Sequence, residues 1–551
     1  MLSSLEIAQE ATLRPIADVA EEAGIEPDEL ELYGRYKAKV DLSILERLAD
    51  QPDGKIVNVT AITPTPAGEG KTTTSVALTQ GLGQIGRRPV LALREASLGP
   101  VFGIKGGAAG GGYTQVVPME DLNLHFTGDL HAITAANNLL SALIDAHLLH
   151  GNELRIDPLT ISWRRCMDMN DRSLRDVVTS LGGRVNGYPR QTGFDITAAS
   201  EIMALVAVAR DLGDLRTRLG RITVGQTFEG EPVTAEQIKA AGAMTVVLKD
   251  AIKPNLVQTL EGQPAFIHCG PFANIAHGNN SLVADRVGLK LGEYLITESG
   301  FASDMGMEKF FDITCRIGGL RSSATVLVAT VRALKHHGGN IHGGMAEIEG
   351  GAANLARHIG IVKHFGLNAV VAVNKFPTDT TDELELVKRL ALEHGAYAAE
   401  INAGFEQGGK GATALAEAVV AAADEPNEFR FAYPYDAPIE EKIRAIAKGV
   451  YGADDVFLLK TAKDKAAAFE ASGLGQLPIC MAKTHLSLSH DPKLKGRPKG
   501  FTLPVRDIRL SAGAGFVYPL CGSMLTMPGL PSDPAGAHMD IDEKGEVVGL
   551  Y

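Results

Sequence analysis

The stretch TPTPAGEGKTTTSVALTQGLG (Thr63–Gly83) decides the fold. It follows KIVNVTAI (55–62), a run of apolar and β-branched residues, and passes into a helical pattern over 70–86. Strand, glycine-rich turn and helix, in that order, make a phosphate-binding unit. Gly68 and Gly70 permit the tight turn with backbone N–H groups facing inward, and the helix N-terminus adds partial positive charge. The Lys71 ammonium is expected to reach the β- and γ-phosphates, and the Thr72 hydroxyl to ligate Mg2+. Pro64 and Pro66 stiffen the approach. The strict pattern G-x-x-x-x-G-K-[ST] is broken by Thr65 at its first glycine, so the strand–turn–helix context carries the assignment. ATP is the expected nucleotide, because VNKFPTD (373–379) has Pro377 where an Asn-Lys-x-Asp guanine reader carries its Asp.

Working outward, RPVLALRE (88–95), AMTVVL (243–248), PAFIHC (264–269), EYLITE (293–298), ATVLVATV (324–331) and NAVVAVNK (368–375) also read as strands. Helical patterns at 198–212, 352–364, 382–394 and 411–423 lie between or after them. Near-continuous apolar runs suit strands covered on both faces, and the alternation implies an α/β fold with crossover connections. Ligands of such sheets bind beyond the strand carboxyl ends. Arg94 and Glu95 are therefore expected beside the glycine loop. The planar Arg94 fork suits a carboxylate or phosphate, with Lys105 and the glycines of GIKGGAAGGGY (103–113) as further donors. An anion-binding arginine beside a nucleotide suggests activation of a second anionic substrate. His336, His337 and His342 have no carboxylate at ligand spacing, which disfavours a metal site there.

The 551 residues allow roughly three or four units at about 150 residues each. The formal charge of -13 argues against nucleic-acid or anionic-membrane partners. Five scattered cysteines read as reduced, buried thiols of a cytoplasmic protein. The first residues carry no basic and apolar pattern of an export signal, and no run of 18 apolar residues occurs, so no membrane span is expected.

Taken together, TPAGEGKTT, GIKGGAAGGGY, LHFTGDLHAITAANNLLSALIDAH, HCGPFANIAHGNNS, TESGFASDMGMEKFFDI, VATVRALKHHGG (328–339), NKFPTDT, RPKGFTLPVRDIR and TMPGLP resemble segments of the formate–tetrahydrofolate ligase family along essentially the whole chain. That resemblance implies a fold class: α/β, with a large P-loop NTPase-like, mostly parallel sheet domain and two smaller α/β domains. The divisions expected are 1–360 for nucleotide binding and formate activation, 361–455 contributing to a folate pocket, and 456–551 at the C-terminus. It implies ATP with Mg2+, tetrahydrofolate as co-substrate, an activating monovalent cation (K+ or NH4+), and a cytoplasmic homotetramer with small-molecule substrates only. Thr65, Pro66, Ala67, Gly68, Glu69, Gly70, Lys71 and Thr72 correspond to the ATP loop. Lys71, Arg94, Glu95 and Asp129 correspond to catalytic positions, with Glu95 and Asp129 expected to orient Arg94 or the folate amine. Phe301, Phe376, Ile401 and Phe405 correspond to the folate pocket. Phe405 stands where the family usually has Trp, ahead of a G-G-x-G run, and still offers a π face. Two other readings of the residues stay open: a ligase with another acceptor, and a nucleotide switch without a product.

Overall fold

The computed structural model describes residues 2–104 and 109–550. A twelve-stranded sheet organises the chain. Ten of its strands form a continuous path: β1 (Leu30–Leu32), β2 (Ala38–Val40), β3 (Lys55–Ala61), β4 (Pro89–Leu93), β5 (Asn255–Thr259), β6 (Pro264–Ile267), β7 (Tyr294–Glu298), β8 (Ser322–Ala329), β9 (Ala369–Asn374) and β10 (Ala398–Asn402). Their spatial order is β1-β2-β5-β6-β4-β7-β3-β8-β9-β10. The seven strands from β6 to β10 along this path are parallel, and the β1-β2-β5 edge is antiparallel.

The apolar runs are continuous because the sheet separates two cores. Along β3, Val57, Val59 and Ala61 face one hydrophobic cluster while Ile56 faces the other. β9 alternates likewise, with Val370 and Ala372 on one side and Ala369, Val371 and Val373 on the other. This is the two-residue period of a strand with both faces covered. A third cluster gathers around helix α2 (Asp129–Leu149) and residues 202–252. Helix α2 is long and apolar enough to cross a membrane by length and composition. Its Ile133, Ala136, Leu140, Ile144 and Leu148 instead fill this third core.

One expected strand is a helix. AMTVVL lies in a helix, Ala241–Leu248, because its buried residues Ala241, Met244 and Leu248 recur at helical spacing while Val246 and Val247 are exposed. Strands β5 and β10 carry too few contiguous apolar residues to stand out in the sequence. The division expected at 360 falls within a helix, Met345–His364, and the sheet continues across it into β9 and β10. The division expected at 455 falls at the start of a short strand, Asp455–Leu458, which pairs in parallel with Thr502–Val505. Val456, Leu458, Leu503 and Val505 belong to the same hydrophobic cluster as β9, so this C-terminal sheet packs onto the main core.

Candidate active site

The parallel strands end on one side, and their carboxyl ends carry both expected site residues and others the sequence did not single out, in sheet order. Arg94 follows β4, Glu298 ends β7, the glycine loop follows β3, Thr330 and Arg332 follow β8, Asn374 ends β9, and Phe405 follows β10. The connection from β3 runs to β4 on one side, and that from β8 runs to β9 on the other. Neighbouring strands whose connections diverge leave a crevice between them, the usual ligand position in an open α/β sheet.

The loop itself is held from behind. Gly68 and Gly70, at φ of 75° and 74°, adopt the left-handed conformation the turn needs, and Gly70 caps helix α1 (Lys71–Gln84). Arg332 donates to the Gly68 carbonyl. The Asn374 amide donates to the carbonyls of Glu69 at 2.8 Å and Gly70 at 3.2 Å. In a trans peptide the N–H points opposite to the C=O of the same plane. Fixing the carbonyls of 68, 69 and 70 therefore turns the N–H groups of Glu69, Gly70 and Lys71 the other way. Several such donors beside a helix N-terminus can hold an anion. Asn374 is itself fixed: its Oδ1 accepts from Thr74 Oγ1 at 2.8 Å and from Asn402 Nδ2 at 2.9 Å.

Glu69 turns its side chain away from this concavity. Its carboxylate is buried, accepting from Thr65 N at 2.7 Å and from Thr330 Oγ1 at 2.5 Å. The loop entry is fixed by two histidines. Thr63 N donates to His358 Nε2 at 2.9 Å, which places the His358 proton on Nδ1 beside Ser303 Oγ at 2.7 Å. His337 Nε2 donates to the Thr63 carbonyl at 2.8 Å, and its Nδ1 accepts from Gly496 N at 3.2 Å. Both rings are thus neutral. Burial pushes His358 down to about 3 and His337 down to about 4.

Arg94 and the glycine loop meet through a residue the sequence reading passed over. The Thr72 hydroxyl donates to Glu298 Oε2 at 2.7 Å, and Glu298 Oε1 lies 3.7 Å from Arg94 Nη2. Glu298 is buried. Its sequence signal was its place at the end of EYLITE, a strand candidate, but the adjacency of that strand to β3 is a tertiary fact.

Asp129 lies among partners of its own, away from the Arg94 guanidinium's nearest carboxylate. Asp129 forms a buried ion pair with Lys39 at 2.8 Å and accepts from Asn255 Nδ2 at 2.8 Å. Burial, then the Asp129 charge, pushes the Glu95 carboxyl well above the usual carboxylate range. The charged partner beside Arg94 is Glu298, and Asp129 spends its charge on Lys39.

The four aromatic and aliphatic positions line the strand ends without touching one another as rings. Phe301, at φ of 59°, stacks on His485 with ring centroids 4.3 Å apart. The Arg332 guanidinium sits 4.8 Å from the Phe376 ring centroid. Ile401 lies within β10 and is half-buried against the main core. Phe405 is 37% exposed, and its ring lies over Gly111. The Phe405 carbonyl accepts from Tyr113 N at 3.0 Å and leaves no room for a Cβ at Gly112. These glycines thus serve close approach to another backbone, where the sequence suggested approach to a ligand. Lys105 lies outside the described residues. His485 was also missed; its ring is pushed down to about 4 by burial and by the neighbouring Lys483 charge, with Lys71 contributing. Among the described residues no three His, Cys, Asp or Glu side chains gather as a metal cluster.

The fold and site define an α/β protein whose strand-end crevice pairs a fixed anion-binding loop with a nearby arginine. The family model described as formate–tetrahydrofolate ligase matches residues 2–551. The chain is 56% identical to formate–tetrahydrofolate ligase of Desulforamulus reducens, over all of this chain and 99% of that one. It is 55% identical to the enzyme of that name from Roseiflexus sp. RS-1 and 54% identical to that from Cutibacterium acnes, over the full length of both chains in each case. The chain belongs to the formate–tetrahydrofolate ligase family.

Proposed function

We propose that this chain joins formate to tetrahydrofolate with ATP, giving 10-formyltetrahydrofolate, ADP and phosphate. In this reading the loop of Thr65 to Thr72 carries the triphosphate, with Lys71 and the N–H groups of residues 69–71 facing its oxygens. The Thr72 hydroxyl is the residue that would hold Mg2+. Bound there, the metal would neutralise charge that develops on the phosphates. Arg94 grips formate and holds its oxygen in line with the γ-phosphorus. A formate oxygen bonds to that phosphorus as the bridging P–O bond breaks and ADP leaves. The resulting formyl phosphate then meets N10 of the folate, whose lone pair attacks the formyl carbon. The C–O bond breaks, phosphate leaves, and the N10 proton is lost.

Arg94 remains on the formyl phosphate throughout and keeps water from the labile anhydride. Glu95, next to Arg94 in the chain, and Asp129 are assigned to orienting Arg94 or the folate amine. Phe301, Phe376, Ile401 and Phe405 supply the pterin wall, on which a flat ring stacks. An activating monovalent cation, a homotetrameric assembly and a cytoplasmic setting complete the reading.

The observation that supports it is the bridge from Thr72 through Glu298 to Arg94, which brings Arg94 close to the first turn after the glycine loop. The test is ADP release with formate and tetrahydrofolate both present, or with each omitted in turn. Release should require both. Turnover indifferent to omitting them defeats the reading and leaves an ATPase switch; turnover that needs formate but accepts another amine points to a different ligase.

A further inference from the structure

Four cations stand together beside the crevice without a carboxylate to hold. Lys493, Lys495, Arg497 and Lys499 are alternate residues of DPKLKGRPKG (491–500), and all four are exposed. Asp491 is the acid of this stretch, and its Oδ1 accepts from the Lys493 backbone N–H at 2.9 Å. Among the described residues none of the four forms an ion pair; their one side-chain hydrogen bond runs from Lys495 Nζ to the Leu486 carbonyl at 3.5 Å. The whole chain carries a charge of -13, so the segment reverses the sign locally. A mobile tail of like charges would be a solvated surface. This segment is fixed. Ser487 Oγ donates to the Leu494 carbonyl at 2.6 Å, and Ser489 Oγ to the Asp491 carbonyl at 3.2 Å. Gly496 N donates to His337 Nδ1 at 3.2 Å, and its carbonyl accepts from Asn354 Nδ2 at 2.8 Å. His337 and Asn354 also bind Thr63, so the residues that fix the loop entry fix the middle of the basic segment too. The segment therefore borders the site. After burial, which dominates, the Lys495 charge helps hold His336, His337 and His485 below the usual histidine range. His485 also feels the Lys71 charge, and its ring stacks on Phe301.

We propose that Lys493, Lys495, Arg497 and Lys499 form a rim that takes the carboxylates of the folate's glutamate tail. The inference rests on the functional reading above, in which Phe301 belongs to the pterin wall. The flat pterin buries on that wall, but the carboxylates at the far end of the molecule cannot follow it inward without a large desolvation cost. They stay near water, where a fixed row of cations beside the His485–Phe301 stack meets them. A nucleotide is a poorer match. Its charge is concentrated on the phosphates, toward which the loop amides already turn, whereas a repeating cation suits a repeating anion. Each further γ-linked glutamate adds one carboxylate. Exposed pairs of this kind are weak one at a time and weaken with salt. Several together favour the longer, more charged tail and draw it in from solution.

The test is the triple variant Lys493→Gln, Lys495→Gln, Arg497→Gln in the full chain, with three acceptors: tetrahydropteroate, which lacks the glutamate, tetrahydrofolate, and tetrahydrofolate triglutamate. In the parent, KM should fall along this series, and the fall should shrink as salt rises. In the variant, KM should rise by about ten-fold or more for the triglutamate and by about two- to five-fold for tetrahydrofolate, at a few-fold for each exposed pair lost. KM for tetrahydropteroate, KM for ATP and kcat should not move. Equal losses for all three acceptors overturn the inference and mark a structural role for the segment. A rise confined to the KM for ATP overturns it in favour of a phosphate rim. An unchanged KM for the triglutamate places the carboxylates elsewhere and overturns it as well. The salt series needs no substitution, and a parent whose ratio of KM values between tetrahydrofolate and its triglutamate ignores salt is a further contradiction. Failure of the functional reading looks different: the parent would then turn over none of the three acceptors.

Discussion

The glycine loop and the aromatic wall sit at the ends of the same parallel strands, yet they are built in opposite ways. Around the loop, Thr63, Thr65, Gly68, Glu69, Gly70 and Thr74 are each bound by a partner from elsewhere in the chain or loop, and most of those partners are buried. On the wall, Phe301 rests on a single histidine, Phe376 faces an arginine, and Phe405 is more than a third exposed. The difference teaches where each side gets its strength. A strongly charged, reacting group is served best by donors fixed before it arrives, since then nothing has to reorganise during the reaction. A flat apolar ring is served by open faces, where area matters more than angle.

Arg94→Ala should produce the largest effect, because it removes the one group proposed to hold the reacting carboxylate. Turnover per formate should fall by about a thousand-fold, in the range of losing a key charge-stabilising donor. ADP affinity should stay within about threefold, because the loop is fixed without Arg94. Steady-state ADP release and an ADP titration check both halves. Should ADP affinity collapse while formate handling survives, Arg94 belongs to the loop, and the contrast of two adjacent anion sites is lost.

Glu69→Ala attacks the fixed side directly. It leaves the buried Thr65 N–H and Thr330 hydroxyl without their acceptor, at a cost of about 1–3 kcal/mol each. ADP affinity should drop by about ten- to a hundred-fold while formate-site residues are untouched. An ADP titration beside a thermal melt separates the loop from the rest of the fold, and an unaltered affinity shows that the loop holds its shape without this brace.

Acid should loosen the same region. His358 and His337 sit below the ordinary histidine value when folded, so the unfolded chain binds protons that the native state refuses. Their stabilisation is full above about pH 6.5, the unfolded value, and declines as the pH falls toward the folded values of about 4 and 3. Each contributes up to about 1.4 kcal/mol per pH unit within that window. His358→Gln, which keeps an acceptor for Thr63 and a donor for Ser303, should flatten the decline of melting temperature between pH 6.5 and 4. A slope equal to the parent's assigns the acid sensitivity elsewhere.

The loop was legible because it is local: strand, two glycines, lysine and helix follow one another within thirty residues. The parallel sheet was legible because strands covered on both faces leave apolar runs. What braces the loop was not. Glu298, Asn374, Thr330 and His358 come from four other segments, and only the strand order brings them to residues 63–74. Asn374 was noticed only as a base reader in VNKFPTD, although its amide pins the loop carbonyls. The contacts of Glu95 and Asp129 were hidden for the same reason. Chain proximity to Arg94, or a family position, does not say which way a carboxylate turns. Lys39, far away in sequence, decides it for Asp129. The helix at 241–248 misled because a short apolar run fits either period.

Phe405→Trp should produce the smallest effect, and it tests the open side of the contrast. The ring already lies over Gly111 with more than a third of the residue exposed, so a larger ring has somewhere to go. More stacking area should leave tetrahydrofolate binding equal or tighter by up to about 1 kcal/mol. The substitution also reports on itself. Trp163 is the only tryptophan of the chain, and it is buried with its indole N–H donating to the Asn137 carbonyl at 3.1 Å. A new, exposed indole at 405 therefore dominates any change in emission when folate is added. Quenching that saturates with folate places the ring on the pterin wall. Emission unmoved at saturating folate removes Phe405 from the pocket, and a large loss of affinity shows a wall shaped around phenylalanine, as closely fitted as the loop.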